Sequence, residues 1–439
     1  MKRRLVQFAA LALSVLMIAS LAACGEAANS SAQGGGAGEA GGGNATAGKE
    51  ANTDSDEIVI GCVIPISGPL SAFGNGSDKM RDYAVQQIND AGGIEIDGKM
   101  KTIKMVYADS ESDPTKASEA AAKLIQSDNI DLMVTSHTND TTIPVAAACE
   151  RAGIPCLSVD TPDDAWAAEG PYTYCFHAGF NTENELNSFK AAWDMVPDCN
   201  KKIGLLYAND VEGQELSGAI KEFATANGYE VVDPGSYTSG DTSFTSIINT
   251  IKGEECDIIC GVMVTPDFKT FYNDLKRDGT YMPKICTVAK ATLFADDVNA
   301  VGANGVGDKV VSEVWWTPNH PYSSSISGQT SKEIGDAWME IVGMDYAPAT
   351  AGYVYANMEI VYDVLSRAGT TSAEDIIAAA AETDFDSVIG HISYNEDHVS
   401  IQPLVTGQWR YVDGGWVQNI IDNTQVPDCP VSGELELLP

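Results

Sequence analysis

The sequence predicts an α/β protein built from two doubly wound parallel-sheet lobes, and three observations carry that prediction. Short β-branched apolar runs alternate with amphipathic stretches along most of the chain, the pattern of right-handed βαβ crossovers around a parallel sheet. The alternation runs once to about Phe176 and restarts at Ile203. About 384 residues lie between Asp56 and Pro439, more than one core comfortably holds.

The amino terminus comes before either lobe. Lys2, Arg3 and Arg4 form a positive n-region, and Phe8 to Ile18 is an apolar stretch too short to span a bilayer. It ends at Leu21-Ala22-Ala23-Cys24-Gly25, where small residues followed by Cys resemble the lipobox of bacterial lipoproteins. Residues 1–23 are therefore expected to be a signal peptide, with Cys24 as the lipidated first residue of the mature chain. Residues 24–56, rich in Gly, Ala, Ser and Asn, are too poor in apolar side chains for a core and read as a tether.

The first strand is Ile58–Ile64, a nearly continuous apolar run that stops at Ser67-Gly68-Pro69. The helix from Ser77 follows, with Met80, Ala84, Ile88 and Ala91 on one face and Gly92-Gly93 as its stop. Lys101–Tyr107 is a strand, and DSESDP (109–114) is a turn whose proline starts the next helix, carrying Ala117, Ala121, Leu124 and Ile125. Ile130–Thr135 and Ile154–Val159 are strands around a helix over Thr141–Ala152, and Tyr172–Phe176 is a strand leading out of this lobe.

The second half expects strands at 203–207, 229–232, 257–264 and 285–288, with helices at 212–226, 244–251 and 267–277. Lys309–Trp316 is a strand that crosses back. Ala349–Ala368 and Ala373–Ala381 are helices, and 388–421 reads as short strands. Lobe I is expected over 57–177 and 316–387, lobe II over 178–315 and 388–439.

Composition narrows the function. The formal charge is −36 and becomes −39 once the three basic signal residues are removed, so nucleic acid and anionic lipid headgroups are repelled. The expected contact with a membrane is through the lipid anchor alone. Ten cysteines less Cys24 leave nine, an odd number, mostly inside apolar runs such as Cys256 and Cys260, where a thiol acts as a small hydrophobe. Most are expected to be reduced and buried. There is no CxxC, GxSxG, HExxH or GxxxxGK[ST]. GANGVG (302–307) has the wrong spacing for a dinucleotide, and HISYNEDH (391–398) is not read as a metal site. No enzyme activity, cofactor or metal is expected.

Several signatures then identify a resemblance. Ile64-Pro65-Ile66-Ser67-Gly68-Pro69 with Phe73-Gly74, Ile88-Asn89-Asp90-Ala91-Gly92-Gly93-Ile94, Asp113-Pro114, Pro144 with Ala152-Gly153-Ile154-Pro155, and Gln408-Trp409 occur in one order from Glu57 to about Ile421. The chain resembles the type I periplasmic substrate-binding proteins of ABC importers, in the branched-chain amino acid, amide and urea branch. That resemblance implies three crossover segments joining the lobes, a small ligand in the cleft between them, and delivery to membrane permease subunits served by separate ATPase subunits. A monomer is expected, on the outer face of the cell membrane or in the periplasm. A ligand sensor of the same fold is the alternative, and a tethered hydrolase finds no motif.

By the same resemblance, the ligand contacts in lobe I are Phe73, Thr138 and Asn139 in the loop His137-Thr138-Asn139-Asp140, Asp160 and Thr161 ahead of Pro162, and Trp166. In lobe II they are Asp210 and Glu212, Thr265 beside Val264, and Lys290 after Ala289. These are polar loops where apolar strands stop, the edge at which open α/β sheets bind ligands. Two positions depart from amino-acid-binding relatives, which carry an acid near Lys290 and a tyrosine near Val264. A lysine repels an ammonium and attracts a carboxylate. The ammonium is then read by Asp160, Asp210 or Glu212, or the ligand has none. Trp315-Trp316-Thr317-Pro318, with His320 and Tyr322, is expected to pack the hinge rather than line the cleft.

Overall fold

The computed structural model describes residues 55–302 and 304–439. The expected signal peptide, the expected lipidation site Cys24 and nearly all of the expected tether lie outside the described residues. The first half runs β1 (Glu57–Ile64), α1 (Ser71–Gly74), α2 (Ser77–Asp90), β2 (Ile94–Ile96), β3 (Lys99–Asp109), α3 (Pro114–Ser127), β4 (Leu132–Ser136), α4 (Asn139–Ala152), β5 (Cys156–Pro162), α5 (Asp163–Ala168) and β6 (Cys175–Phe180). The pattern restarts with α6 (Thr182–Asp194), β7 (Lys202–Tyr207), α7 (Val211–Ala226), β8 (Glu230–Val232), α8 (Thr245–Gly253), β9 (Ile258–Val262), α9 (Thr265–Asp278), β10 (Ile285–Ala289), α10 (Ala295–Val301) and β11 (Val311–Val314). It closes with α11 (Ser331–Trp338), a π-helical turn at Met339–Gly343, α12 (Ala349–Ala368), α13 (Ala373–Ala381), β12 (Asp384–Ser387), β13 (Gly390–Ser393), β14 (Val399–Ile401), β15 (Val405–Val412) and β16 (Gly415–Asp422).

Two seven-stranded sheets result, ordered β14-β6-β5-β4-β1-β3-β2 and β16-β15-β11-β10-β9-β7-β8, with β12 and β13 as a separate hairpin. Both sheets are parallel except at their edges, where β2 pairs β3, β15 pairs β11 and β16 pairs β15 antiparallel. Both faces of each sheet are covered, which is why β1, β4, β9 and β10 are apolar runs rather than alternating strands.

The chain passes between the sheets three times: after β6, after β11 and after β14. The last passage comes later than the sequence suggests. Val399–Ile401 pairs with β6, so the chain stays with the first sheet to Ile401 instead of leaving it near residue 388. Three residues are too few to show a period, which is why the pattern missed this strand. Helix α6 was also unexpected, because its acids and amides (TENEL) mask the buried stripe Leu186, Phe189, Ala192 and Trp193. Helix α12 is buried along nearly its whole length, and Trp316 packs against Gly352, where a Cβ would lie 2.4 Å from the indole. All nine described cysteines are thiols, and eight of them are buried. No described helix is long and apolar enough to cross a membrane.

Candidate functional site

The carboxyl ends of the strands of both sheets face one partly open cleft, whose roughly 570 Å³ of space between the walls includes open solvent. Two walls of different character line it.

The first wall is made by the loops after β1, β4 and β5. Phe73 sits in α1, held close because Gly74 lies against the Pro65 carbonyl, where a Cβ would come within 2.1 Å. Its ring meets Phe294 edge-on at 5.0 Å, and Phe294 comes from the second-sheet side, so aromatic packing already spans the cleft. At the end of β4, His137 adopts φ +100°, and Asp160 on β5 adopts φ +61°. Two left-handed non-glycine residues in neighbouring loops mark a place where packing overrides backbone preference. They hold each other: the His137 backbone N–H donates to the Asp160 carboxylate, His137 Nδ1 lies 3.0 Å from Asp160 Oδ2, and Nε2 meets Ser77 Oγ at 3.0 Å.

Asn139 is tied just as fully. Its amide donates to the Pro162 carbonyl at 3.1 Å and accepts from Thr161 Oγ1 at 2.8 Å. Thr138 is the residue before α4, a helix of fourteen residues whose N-terminal end favours negative charge.

The second wall is acidic. Glu212 and Glu215 come from α7, Glu185 from α6 and Glu313 from β11, with Lys290 after β10. Lys290, at φ +64°, is not free to meet an anion. Its ammonium contacts the Glu212 carboxylate and lies 3.6 Å from Asp140 Oδ2 on α4 of the first wall. Burial alone lowers its pKa, but Glu212 and Asp140 outweigh that and hold it above the ordinary lysine value. Glu313 is 3% exposed, and one carboxyl oxygen, Oε2, is buried without a hydrogen bond. Burial pushes its pKa up to about 8. Burial, followed by the charge of Glu313, raises Glu185 well above the usual carboxylate range. Phe180 and Trp315, 5.0 Å apart, make the apolar floor between the walls.

The structure brings Phe73, Thr138, Asn139, Glu212 and Lys290 to this cleft and places the other expected contacts elsewhere. Asp160 and Thr161 stand behind the first wall as supports, fully buried. Trp166 is fully buried too, packed on Tyr172 at 4.3 Å and His177 at 5.3 Å. Asp210 caps α7 by accepting from the Gly213 N–H at 2.7 Å, and it borders a smaller neighbouring cavity shared with Glu212 and Lys290. Thr265 opens α9 and helps offset the effect of burial on the Asp297 carboxyl. The tryptophan pair divides: Trp316 packs the hinge, donating to the Val388 carbonyl at 2.9 Å, while Trp315 lines the cleft.

Glu185, Glu215 and Glu313 were missed. Glu313 carried a signal, since it is the one acid inside the apolar run VVSEVWW (310–316), and burying an acid is costly unless its oxygens are matched. Glu185 carried none, because its helix was not recognised.

Comparison with known proteins bears on the fold and its ligands. A family model described as periplasmic binding protein matches residues 57–415. A Leu/Ile/Val-binding protein homolog 3 of Brucella melitensis is 24% identical over 345 residues, covering 77% of this chain and 88% of that protein. The Leu/Ile/Val-binding protein BraC3 of Rhizobium johnstonii is 22% identical over 352 residues, covering 77% and 88%. Among solved structures, the branched-chain amino acid transporter substrate binding protein LivJ of Streptococcus pneumoniae, in complex with isoleucine, superposes with a TM-score of 0.68 at 22% identity, covering 83% of this chain and 99% of that one. A solute binding protein of an ABC transporter from Rhodopseudomonas palustris, in complex with 3,4-dihydroxybenzoic acid, superposes with a TM-score of 0.66 at 20% identity, covering 83% and 97%. One architecture thus accommodates both an amino acid and an amine-free acid, so the fold alone does not choose the ligand.

Proposed function

The chain belongs to the periplasmic binding protein family, and from that premise we propose that it is the solute-binding component of an ABC importer, closing on a small organic ligand that carries an ammonium group. The observation that carries the ammonium is the buried, unpaired Glu313 oxygen at the cleft, with Glu185 beside it. Lys290 does not oppose this reading, because Glu212 and Asp140 already engage it. Thr138 and the N-terminal end of α4, on the facing wall, suit the ligand's electronegative end.

Capture follows from the two walls. A ligand that touches both shifts the population towards the closed arrangement, in which Lys290 reaches Asp140 across the cleft. The closed protein is then recognised by membrane permease subunits, and ATP is hydrolysed by separate subunits. The chain acts outside the cytoplasm, tethered through lipid on Cys24. No reaction is catalysed in the cleft. A sensor that passes the closed state to a membrane receptor shares every one of these features except the partner.

The experiment is a thermal-shift screen of the purified protein against amino acids, amides, urea, and aliphatic and aromatic carboxylates. A ligand that binds only the folded state stabilises it by roughly 2.7 kcal/mol at a hundredfold excess over Kd. Shifts confined to amine-bearing compounds support the reading, and shifts confined to amine-free acids refute it.

A further inference from the structure

The cleft holds more carboxyl groups than a zwitterion's one ammonium can match. Four glutamates line it against one lysine, and that lysine is engaged by Glu212 and Asp140. Among the described residues no ion pair reaches Glu185, Glu215 or Glu313. Glu215 is exposed at the rim, where water screens it. Glu185 and Glu313 are both 3% exposed, on α6 and β11, two elements packed against each other. Glu313 Oε2 is buried with no donor.

An α-ammonium supplies one positive charge and its carboxylate removes it again. Seating a zwitterion would leave the acidic wall in excess. Resting on the reading above, we propose that Glu185 and Glu313 form a dicarboxylate subsite for a cationic group, and that the ligand is an amino compound of net positive charge, such as a basic amino acid or a diamine.

The surroundings favour an organic cation. Phe180 and Trp315 line the same cleft, and aromatic faces attract ammonium and guanidinium groups. The protein's formal charge of −36 draws cations towards it.

In the empty cleft burial favours the protonated form of both carboxyls. The charged groups facing it are Glu212 and Glu215 on α7, Lys290 after β10, Asp164 on α5 and Asp140 on α4, and only Lys290 is cationic. An arriving cation takes the proton's place, and the proton leaves to solvent. Affinity for the cation therefore rises as pH climbs towards about 8, where Glu313 loses its proton.

The test titrates the purified protein calorimetrically with L-lysine, L-ornithine, putrescine, L-leucine, 4-hydroxybenzoate and calcium chloride, in two buffers of different ionisation enthalpy. L-lysine or L-ornithine is expected to bind at least tenfold more tightly than L-leucine, with release of protons at pH 7. Putrescine reports whether the carboxylate is needed, and tight binding of it supports the proposal equally. Glu313→Gln, shaped like the protonated acid, should fold, lose at least tenfold in affinity for the cation and abolish proton release.

L-leucine binding without L-lysine, L-ornithine or putrescine overturns this proposal and leaves the ammonium reading standing. Binding of 4-hydroxybenzoate alone overturns both. Calcium binding without the amines, full cation affinity in Glu313→Gln, or no binding of any of these cations also overturns it.

Discussion

The two walls of the cleft spend their polar groups differently. On the first, His137, Asp160, Ser77, Asn139, Thr161 and the Pro162 carbonyl satisfy one another, so the wall is preset and nearly closed to further bonds. On the second, Glu185 and Glu313 are buried without an ion pair among the described residues, and Glu313 keeps an oxygen bare. A satisfied network rigidifies, whereas an unsatisfied one costs stability until something completes it. The first wall is therefore a template of fixed shape, and the second is where, on the reading proposed above, charge selects the ligand.

Breaking the first wall should have the largest effect. Asp160→Ala removes a fully buried carboxylate that holds two His137 groups, and is expected to cost about 3–5 kcal/mol in urea unfolding. A loss below about 1 kcal/mol would mean the network is not the wall's support.

The second wall makes the opposite prediction. Because the folded pKa of Glu313 is raised to about 8, the native protein binds more protons than the unfolded chain between the ordinary glutamate range and that value. Stability of the empty protein should fall as pH rises across that window, and Glu313→Gln should flatten the fall. A midpoint temperature with the same pH slope in both proteins would show that Glu313 is not the group responsible.

Phe73→Ala tests the aromatic contact between the walls. It is expected to weaken ligand affinity about tenfold, roughly 1.4 kcal/mol, by removing the ring that meets Phe294. Unchanged affinity would assign Phe73 to packing alone. The smallest effect belongs to Asp140→Asn, whose carboxylate is 44% exposed in its contact with Lys290. About 0.5 kcal/mol of ligand affinity should be lost, less at high salt, with no further loss in a Lys290→Met background.

The difference between the walls also explains what was legible in the sequence. The first wall follows directly from strand–loop–helix units in tandem, and the loops at Phe73 and at Thr138-Asn139 could be placed because each strand is a strong apolar run. What the pattern could not show was direction. Asp160 and Trp166 lie in the expected segment, yet a register of one or two residues turned them inward, to His137 and to Tyr172. On the second wall, Lys290 was placed at the cleft, but its partners were not, since Glu212 and Asp140 come from helices some 78 and 150 positions away in the chain. Sequence period reports burial within an element, and it carries no information about which charges meet across a cleft.

If the second wall reads an amine, removing that amine from the ligand must cost affinity. The most direct measurement compares, by calorimetric titration at pH 7.5, the amine-bearing compound that binds most tightly with its analogue in which that amine is replaced by hydrogen. The predicted result is a loss of at least a hundredfold, about 2.7 kcal/mol, on removing the amine. Equal or tighter binding of the amine-free analogue would contradict it.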